Sequence, residues 1–183
     1  GILAQPARDP RDQGKLMLAI LGGSGLTQLS NLTGTRRLPG RTAFGEPSSP
    51  LTIGRIGGRE VLFLARHGDG HRLAPHEINY RANIQALKDA GAVRIAAVAT
   101  VGGIRREFGP GTLVVPDQII DYTWGRAGTL FQGPDAKVTH VDFTEPYCAT
   151  LRRSILAAAT ACGETVADGG CYGTSQGPRL ETA

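Results

Sequence analysis

Leu18-Ala-Ile-Leu-Gly-Gly-Ser-Gly25 and Val61-Leu-Phe-Leu-Ala-Arg-His-Gly68 decide how this chain is read: each is an apolar run ending in residues able to hold an anion. A run that is apolar at every position fits a strand covered on both faces, and such strands belong to parallel sheets wrapped by helices. At the end of the first run the glycines lack Cβ, so backbone N–H groups and the Ser24 hydroxyl can approach a phosphate closely. At the end of the second, Arg66 offers a planar fork of donors and His67 adds a ring nitrogen whose charge depends on its surroundings. Plainer readings exist: Gly22, Gly23 and Gly25 also suit a simple tight turn, and Arg66-His67 also suits a surface ion pair. The place of Arg66 directly after a buried run favours the site.

Outward from these runs, Leu51 to Ile56 and Glu60 to Ala65 read as two strands joined by Gly57-Gly58, a hairpin signal. The spacing of Tyr80, Ile84 and Leu87 predicts a helix over His76 to Ala90, with Pro75 before it and Gly91 as its stop. Val93 to Val101 predicts a strand buried on both faces and ending in Gly102-Gly103. Val114 to Asp121 reads as a strand around Pro116, and Thr123 to Val138 as a long polar loop of the kind that is usually functional or mobile. Leu151 to Cys162 predicts a second helix, with Leu151, Ile155, Ala159 and Cys162 aligned; Thr165 to Tyr172 has strand character, and Pro178 opens a further helix. Strands alternating with helices, 26 glycines and few aromatics point to a layered α/β fold.

Composition excludes other classes. Among 183 residues, 40% hydrophobic and 20% charged is ordinary for a globular chain, and the net charge of +4 is scattered without a single-sign block. Nucleic-acid readers interleave aromatics with a basic face, whereas Phe44, Phe63, Phe108, Phe131 and Phe143 fall in separate segments, so an anionic small ligand is the simpler partner. No run approaches the ~18 consecutive apolar residues a spanning helix requires. Cys148, Cys162 and Cys171 are odd in number and lack Cys-x-x-Cys spacing, which fits a reducing cytoplasm and argues against a structural zinc site. Cys162 reads as a small buried hydrophobe. Residues 1–16, broken by Pro6, Pro10 and Gly14, read as a flexible leader, with Met17 as a candidate natural start of a 17–183 domain. Glu181 and Thr182 begin a helix without a body, so a longer domain is expected.

Leu21-Gly-Gly-Ser-Gly-Leu, Phe44-Gly-x-Pro-Ser, Leu64-Ala-Arg-His-Gly, His71, Pro75, Asn79-Tyr-x-Ala-Asn83, Val101-Gly-Gly, Asp117-Gln-x-Ile-Asp121 and Gln176-Gly-Pro-Arg179 follow one another in register. Together they resemble the trimeric purine nucleoside phosphorylase family, in its methylthioadenosine phosphorylase branch. Ile120-Asp-Tyr-Thr-x-Gly-Arg126, Val138-Thr-His-Val-Asp-Phe143 and Thr174-Ser-Gln-Gly-Pro-Arg-Leu-Glu-Thr182 are most similar to methylthioinosine phosphorylases. The resemblance, over Met17 to Ala183, implies a three-layer fold with a mixed central sheet flanked by helices, a homotrimer, and phosphorolysis without a cofactor, inorganic phosphate being a co-substrate. It implies phosphate binding for Ser24, Arg66, His67, Ala99 and Thr100, and a 5′-substituent pocket for His71 and Pro75, with His140 reaching a neighbouring subunit's site. It places the base-recognising Asp or Asn, and a Met-Thr pair, beyond Ala183.

From chemistry alone several of these residues have structural alternatives. Thr100 can satisfy backbone groups at a strand end, Arg179 can form an ion pair, His76 can be a solvated first-turn residue, and His71 and His140 stand evenly between structure and function. The Asn79, Tyr80 and Asn83 face reads as packing plus a side chain to backbone hydrogen bond. Two further readings belong to other classes. A non-catalytic oligomerising fragment would keep the fold and a partial anion site. A dinucleotide-binding module would need Gly-x-Gly-x-x-Gly opening a helix and an acid about 20 residues on, and Leu26 to Gly34 offers neither.

Overall fold

The two apolar runs form neighbouring parallel strands, β1 (Met17–Gly22) and β4 (Arg59–Ala65), with Leu18 opposite Val61 and Gly22 opposite Ala65. The computed structural model describes residues 17–26, 28–133 and 136–179; the expected leader and most of the helix expected from Pro178 lie outside these. β2 (Thr33–Leu38), β3 (Leu51–Ile56) and β5 (Ala92–Ala97) complete a mixed five-stranded sheet in the order β2-β3-β4-β1-β5. β1 is parallel to both β4 and β5, whereas β2, β3 and β4 run antiparallel. The β3–β4 turn is made by Gly57 and Gly58 at φ 55° and 77°, the two left-handed positions that a tight hairpin turn demands.

Period-two alternation assigns one face of this sheet. Ile53 pairs with Leu62, Leu62 with Ala19, and Ala19 with Ile95, so one apolar row crosses four strands. Leu21, Leu51 and Leu64 lie in the same core cluster, and Ala86 and Leu87 of α1 (Tyr80–Asp89) close it. On β4 the alternate residues Val61 and Phe63 are buried as well, which is why this strand reads as continuously apolar.

Several expectations are corrected. The helix expected over His76 to Ala90 is a 3-10 turn at Pro75–Glu77 followed by α1, separated at Ile78 and Asn79. The physical reason is Asn79, whose Oδ1 accepts from Ala82 N at 3.1 Å and whose Nδ2 donates to the Phe44 carbonyl at 2.7 Å; a residue so engaged is a cap and not a helix interior. The buried helix face is Ala82, Asn83, Ala86 and Leu87, leaving Tyr80 and Ile84 half-buried. The strand expected to be covered on both sides is β5, which among the described residues stands at the edge of the sheet, is shorter than read and has Val93 50% exposed.

The strand expected around Pro116 is two strands, β6 (Leu113–Val115) and β7 (Gln118–Asp121), because proline supplies no ladder donor. Each pairs in parallel with a later strand, β6 with β8 (Val166–Asp168) and β7 with β9 (Cys171–Thr174). Both members of this layer break at the same level: Asp117 Oδ1 accepts from Gly170 N at 2.9 Å, and the Gly170 carbonyl accepts from Asp117 N. Helix α2 (Ala149–Ala161) packs on β6 and β8 and sends Arg152 to the carbonyls of Val115 and Pro116 and to the Asp168 carboxylate. None of α2 is buried, and Cys162, expected inside, is exposed beyond its end.

The Phe44-to-Ser48 motif acts as a brace. Asn83 is buried and accepts from Ser48 N at 2.7 Å while donating to Ser48 Oγ at 3.0 Å. Ser49 Oγ meets Ala65 at the end of β4. Removing the amide leaves a buried backbone donor unpaired, which costs about 1–3 kcal/mol. Asn83→Ala should therefore lower the unfolding free energy in urea by that amount, whereas Lys88→Ala, at an exposed position of the same helix, should stay within about 0.5 kcal/mol.

Candidate active site

Parallel pairing brings the carboxyl ends of β1, β4 and β5 together. Arg66 N donates to the Gly22 carbonyl at 2.8 Å and Val98 N to the Leu21 carbonyl at 2.9 Å, so the three chains leave the sheet side by side. Gly23 sits where they meet. A Cβ there would lie 2.5 Å from an Arg66 guanidinium nitrogen, 2.5 Å from the Val98 carbonyl oxygen and 3.3 Å from Ala99 Cα. Only glycine permits this approach. Thr100 Oγ1 then donates to the Ser24 carbonyl at 3.1 Å and ties the β5 end to the Gly-Ser turn.

All five residues expected to hold phosphate thus belong to these three strand ends. Arg66 is partly buried, and among the described residues it takes no part in the ion pairs Arg37–Asp69, Arg105–Glu107 and Arg152–Asp168. A guanidinium left without a carboxylate beside exposed Ser24 and Thr100 is a place where an oxyanion is stabilised.

His67 is buried, and its Nδ1 lies 2.8 Å from the Leu73 carbonyl. A carbonyl only accepts, so Nδ1 carries the proton. Burial holds the imidazole below its ordinary value; the Leu73 carbonyl works the other way, and the charges of Arg66 and His71 add to the lowering. The ring stacks on that of His71 with centroids 4.4 Å apart, and His71 itself adopts a left-handed φ of 57°. The turn is closed by Leu73 N donating to the His67 carbonyl at 2.9 Å. His71 therefore stands at the site's edge.

Pro75 lies next to Gly177, and its carbonyl accepts from Tyr80 Oη at 2.7 Å. Burial pushes the Tyr80 phenol up, while Arg126 and Arg66 oppose the shift. His140 is exposed in an irregular segment, and among the described residues no hydrogen bond or ring contact links it to the strand ends. Arg126, whose Nη2 donates to the Gln176 carbonyl at 2.7 Å and which stacks on Tyr80, is the neighbour that residue-level reading left without a role. Its motif was visible, but its partner stands 50 residues away.

Residues 17–183 match the family model described as the phosphorylase superfamily, and the chain belongs to that superfamily. It is 50% identical over 167 residues to the probable S-methyl-5′-thioinosine phosphorylase of Xanthomonas campestris pv. campestris, covering 91% of this chain and 67% of that one. It is 44% identical over 171 residues to the 6-oxopurine nucleoside phosphorylase of Pyrococcus furiosus, covering 91% of this chain and 63% of that one. The methylthioadenosine phosphorylase of Schistosoma mansoni in complex with adenine superposes with a TM-score of 0.85 at 32% identity, covering 92% of this chain and 68% of that one. The chain thus spans about two thirds of the length of these relatives.

Two outcomes test the geometry. Gly23→Ala should destabilise by about 1–3 kcal/mol, because the backbone at Val98 and Ala99, just past β5, must shift to admit the methyl group. Since the folded pKa of His67 is lower than its unfolded value, protonation favours the unfolded chain. Its contribution is intact above the ordinary 6.5 and is lost as pH falls through and below that value. Thermal denaturation at pH 7.5 and at pH 5.5 should show a smaller pH-induced drop in His67→Asn than in the parent protein.

Proposed function

We propose that this protein catalyses phosphorolysis of a 5′-methylthio purine nucleoside, methylthioinosine foremost, giving free purine and 5-methylthioribose 1-phosphate. The observation that carries the reading is the Arg66 guanidinium held over Gly23 at the meeting of three strand ends. Similarity to a probable S-methyl-5′-thioinosine phosphorylase at 50% identity supports methylthioinosine over methylthioadenosine or an unmodified nucleoside. The dinucleotide module finds no support, since among the described residues the element that follows the Gly-Ser turn is β2 and not a helix. The non-catalytic fragment is likewise not favoured beside relatives named as phosphorylases.

In this reading a phosphate dianion lies against Arg66, the Ser24 turn, Ala99 and Thr100, beneath C1′ of the sugar. As the C1′–N9 bond lengthens, its electron pair moves to the purine and positive charge grows on the sugar. The fixed dianion stabilises that charge, and one of its oxygens forms the new bond to C1′. His67, neutral and protonated on Nδ1, adds a ring nitrogen without a second positive charge. The purine needs a donor at its N7/O6 edge, which the strand-end cluster does not supply. No step calls for a metal or an organic cofactor.

His71 and Pro75 would border the apolar 5′-substituent, where selectivity comes from packing. Exposed His140 is suited to reach a neighbour's site in a homotrimer, an assembly that sedimentation as a monomer at assay concentration would rule out. Free cysteines at positions 148, 162 and 171 suit a cytoplasmic enzyme.

Release of free base should depend on phosphate and be fastest from methylthioinosine, slower from methylthioadenosine and inosine. Equal release in phosphate-free buffer, or none from any substrate, would overturn the reading. Arg66→Ala should lower kcat/KM for phosphate by about 100-fold or more while leaving nucleoside binding within a few-fold. Equal loss toward both substrates would remove the phosphate role of Arg66.

A further inference from the structure

A second cationic cluster faces a cavity of about 310 Å³ between the start of α1 and residues 125–127, which Arg66 does not line. Arg81 and Arg126 both line it, with His76, Asn79, Tyr80 and Gln176, and no aspartate or glutamate does. Each guanidinium is stacked on an aromatic ring, Arg81 at 4.8 Å from the Phe44 centroid and Arg126 at 4.9 Å from that of Tyr80. Stacking fixes the planes of both forks before anything binds.

Among the described residues, the buried side-chain nitrogens without a hydrogen-bond partner are Arg81 Nη1 and Arg126 Nε, one from each of these two arginines. Buried polar groups are normally paired, and an unpaired one calls for a missing partner. Protein acceptors do not fill the need. Arg126 is held by the neutral Gln176 carbonyl, and Asp121, the acid that senses Arg126, already accepts from Thr123 N at 2.8 Å. Two half-buried positive charges facing one cavity that no carboxylate lines repel each other and attract an anion.

We propose that Arg81 and Arg126 form a second oxyanion site, separate from the Arg66 cluster, that takes a carboxylate or phosphate group of a small molecule. The cavity has room for more than the oxyanion alone, and Asn79 and Gln176 offer amides to the rest of such a ligand. The site does not depend on the phosphorolysis reading, because Arg66 does not line it.

The test uses Arg66→Ala protein, in which the strand-end site is disabled, and follows thermal stability during titration with inorganic phosphate and, separately, succinate. Sodium chloride at matched ionic strength is the control. The expected result is a saturable rise in Tm with at least one probe, the phosphate and succinate arms telling which oxyanion the site prefers. Adding Arg81→Gln, which removes no hydrogen bond seen in the structure, should weaken the apparent affinity about tenfold or more, as loss of a charge-assisted contact does. Arg81→Lys should recover only part of it, since the charge returns without the fork. No saturable rise beyond chloride, or a rise that Arg81→Gln leaves unchanged, would overturn the proposal. So would sedimentation showing that Arg81→Gln dissociates an oligomer in which neither probe binds, because the anion would then be a carboxylate of a second copy.

Discussion

The structure depends on the register of β1 between two parallel neighbours. With Gly22 opposite Ala65 and Leu21 opposite Ala97, three strands end at one level, and their next residues emerge on the same edge of the sheet. Open parallel sheets bind ligands at the carboxyl ends of their strands, where backbone groups are no longer committed to the ladder. A one-residue slip would invert the apolar row that packs on α1 and would separate Arg66 from Gly23 at once. Core packing and site assembly are therefore consequences of a single pairing.

The brace from Phe44 to Ser49 explains how the turn after β4 is held. Asn83 binds Ser48 from the helix, Asn79 binds the Phe44 carbonyl, and Ser49 meets the last residue of β4. A helix, a loop and a strand end thus share one buried polar network, and such networks rigidify when every member is satisfied. Arg66 and His67 begin where that network stops.

How much of this was legible in the sequence follows from which forces act locally. The apolar runs of β1 and β4 and the Gly57-Gly58 turn declare themselves through residue type, and so do the Gly-Ser and Arg-His ends that make up the candidate site. Sheet order is not local: Val93 to Val101 looks like a central strand, yet β5 is an edge because no described strand pairs on its far side. The helix break at Asn79 and the split at Pro116 were both written in the sequence, as a capping side chain and a missing donor, but the 3.6-residue pattern and the apolar run outweighed them. The periodicity that points to a buried Cys162 belongs to a helix that covers the small β6–β8 pair instead of the main sheet. Arg81 and Arg126 could not be brought together from spacing, since only the fold places the start of α1 beside residues 125–127.

We propose that the three parallel strand ends form the seat of the attacking phosphate, and a crystal structure of the protein with inorganic phosphate is the first measurement to make. Phosphate is expected within hydrogen-bond distance of the Arg66 guanidinium and of the Ser24 or Thr100 side chain, beside Gly23. Phosphate bound only elsewhere, with Arg66 turned away from the Gly-Ser turn, would overturn that assignment.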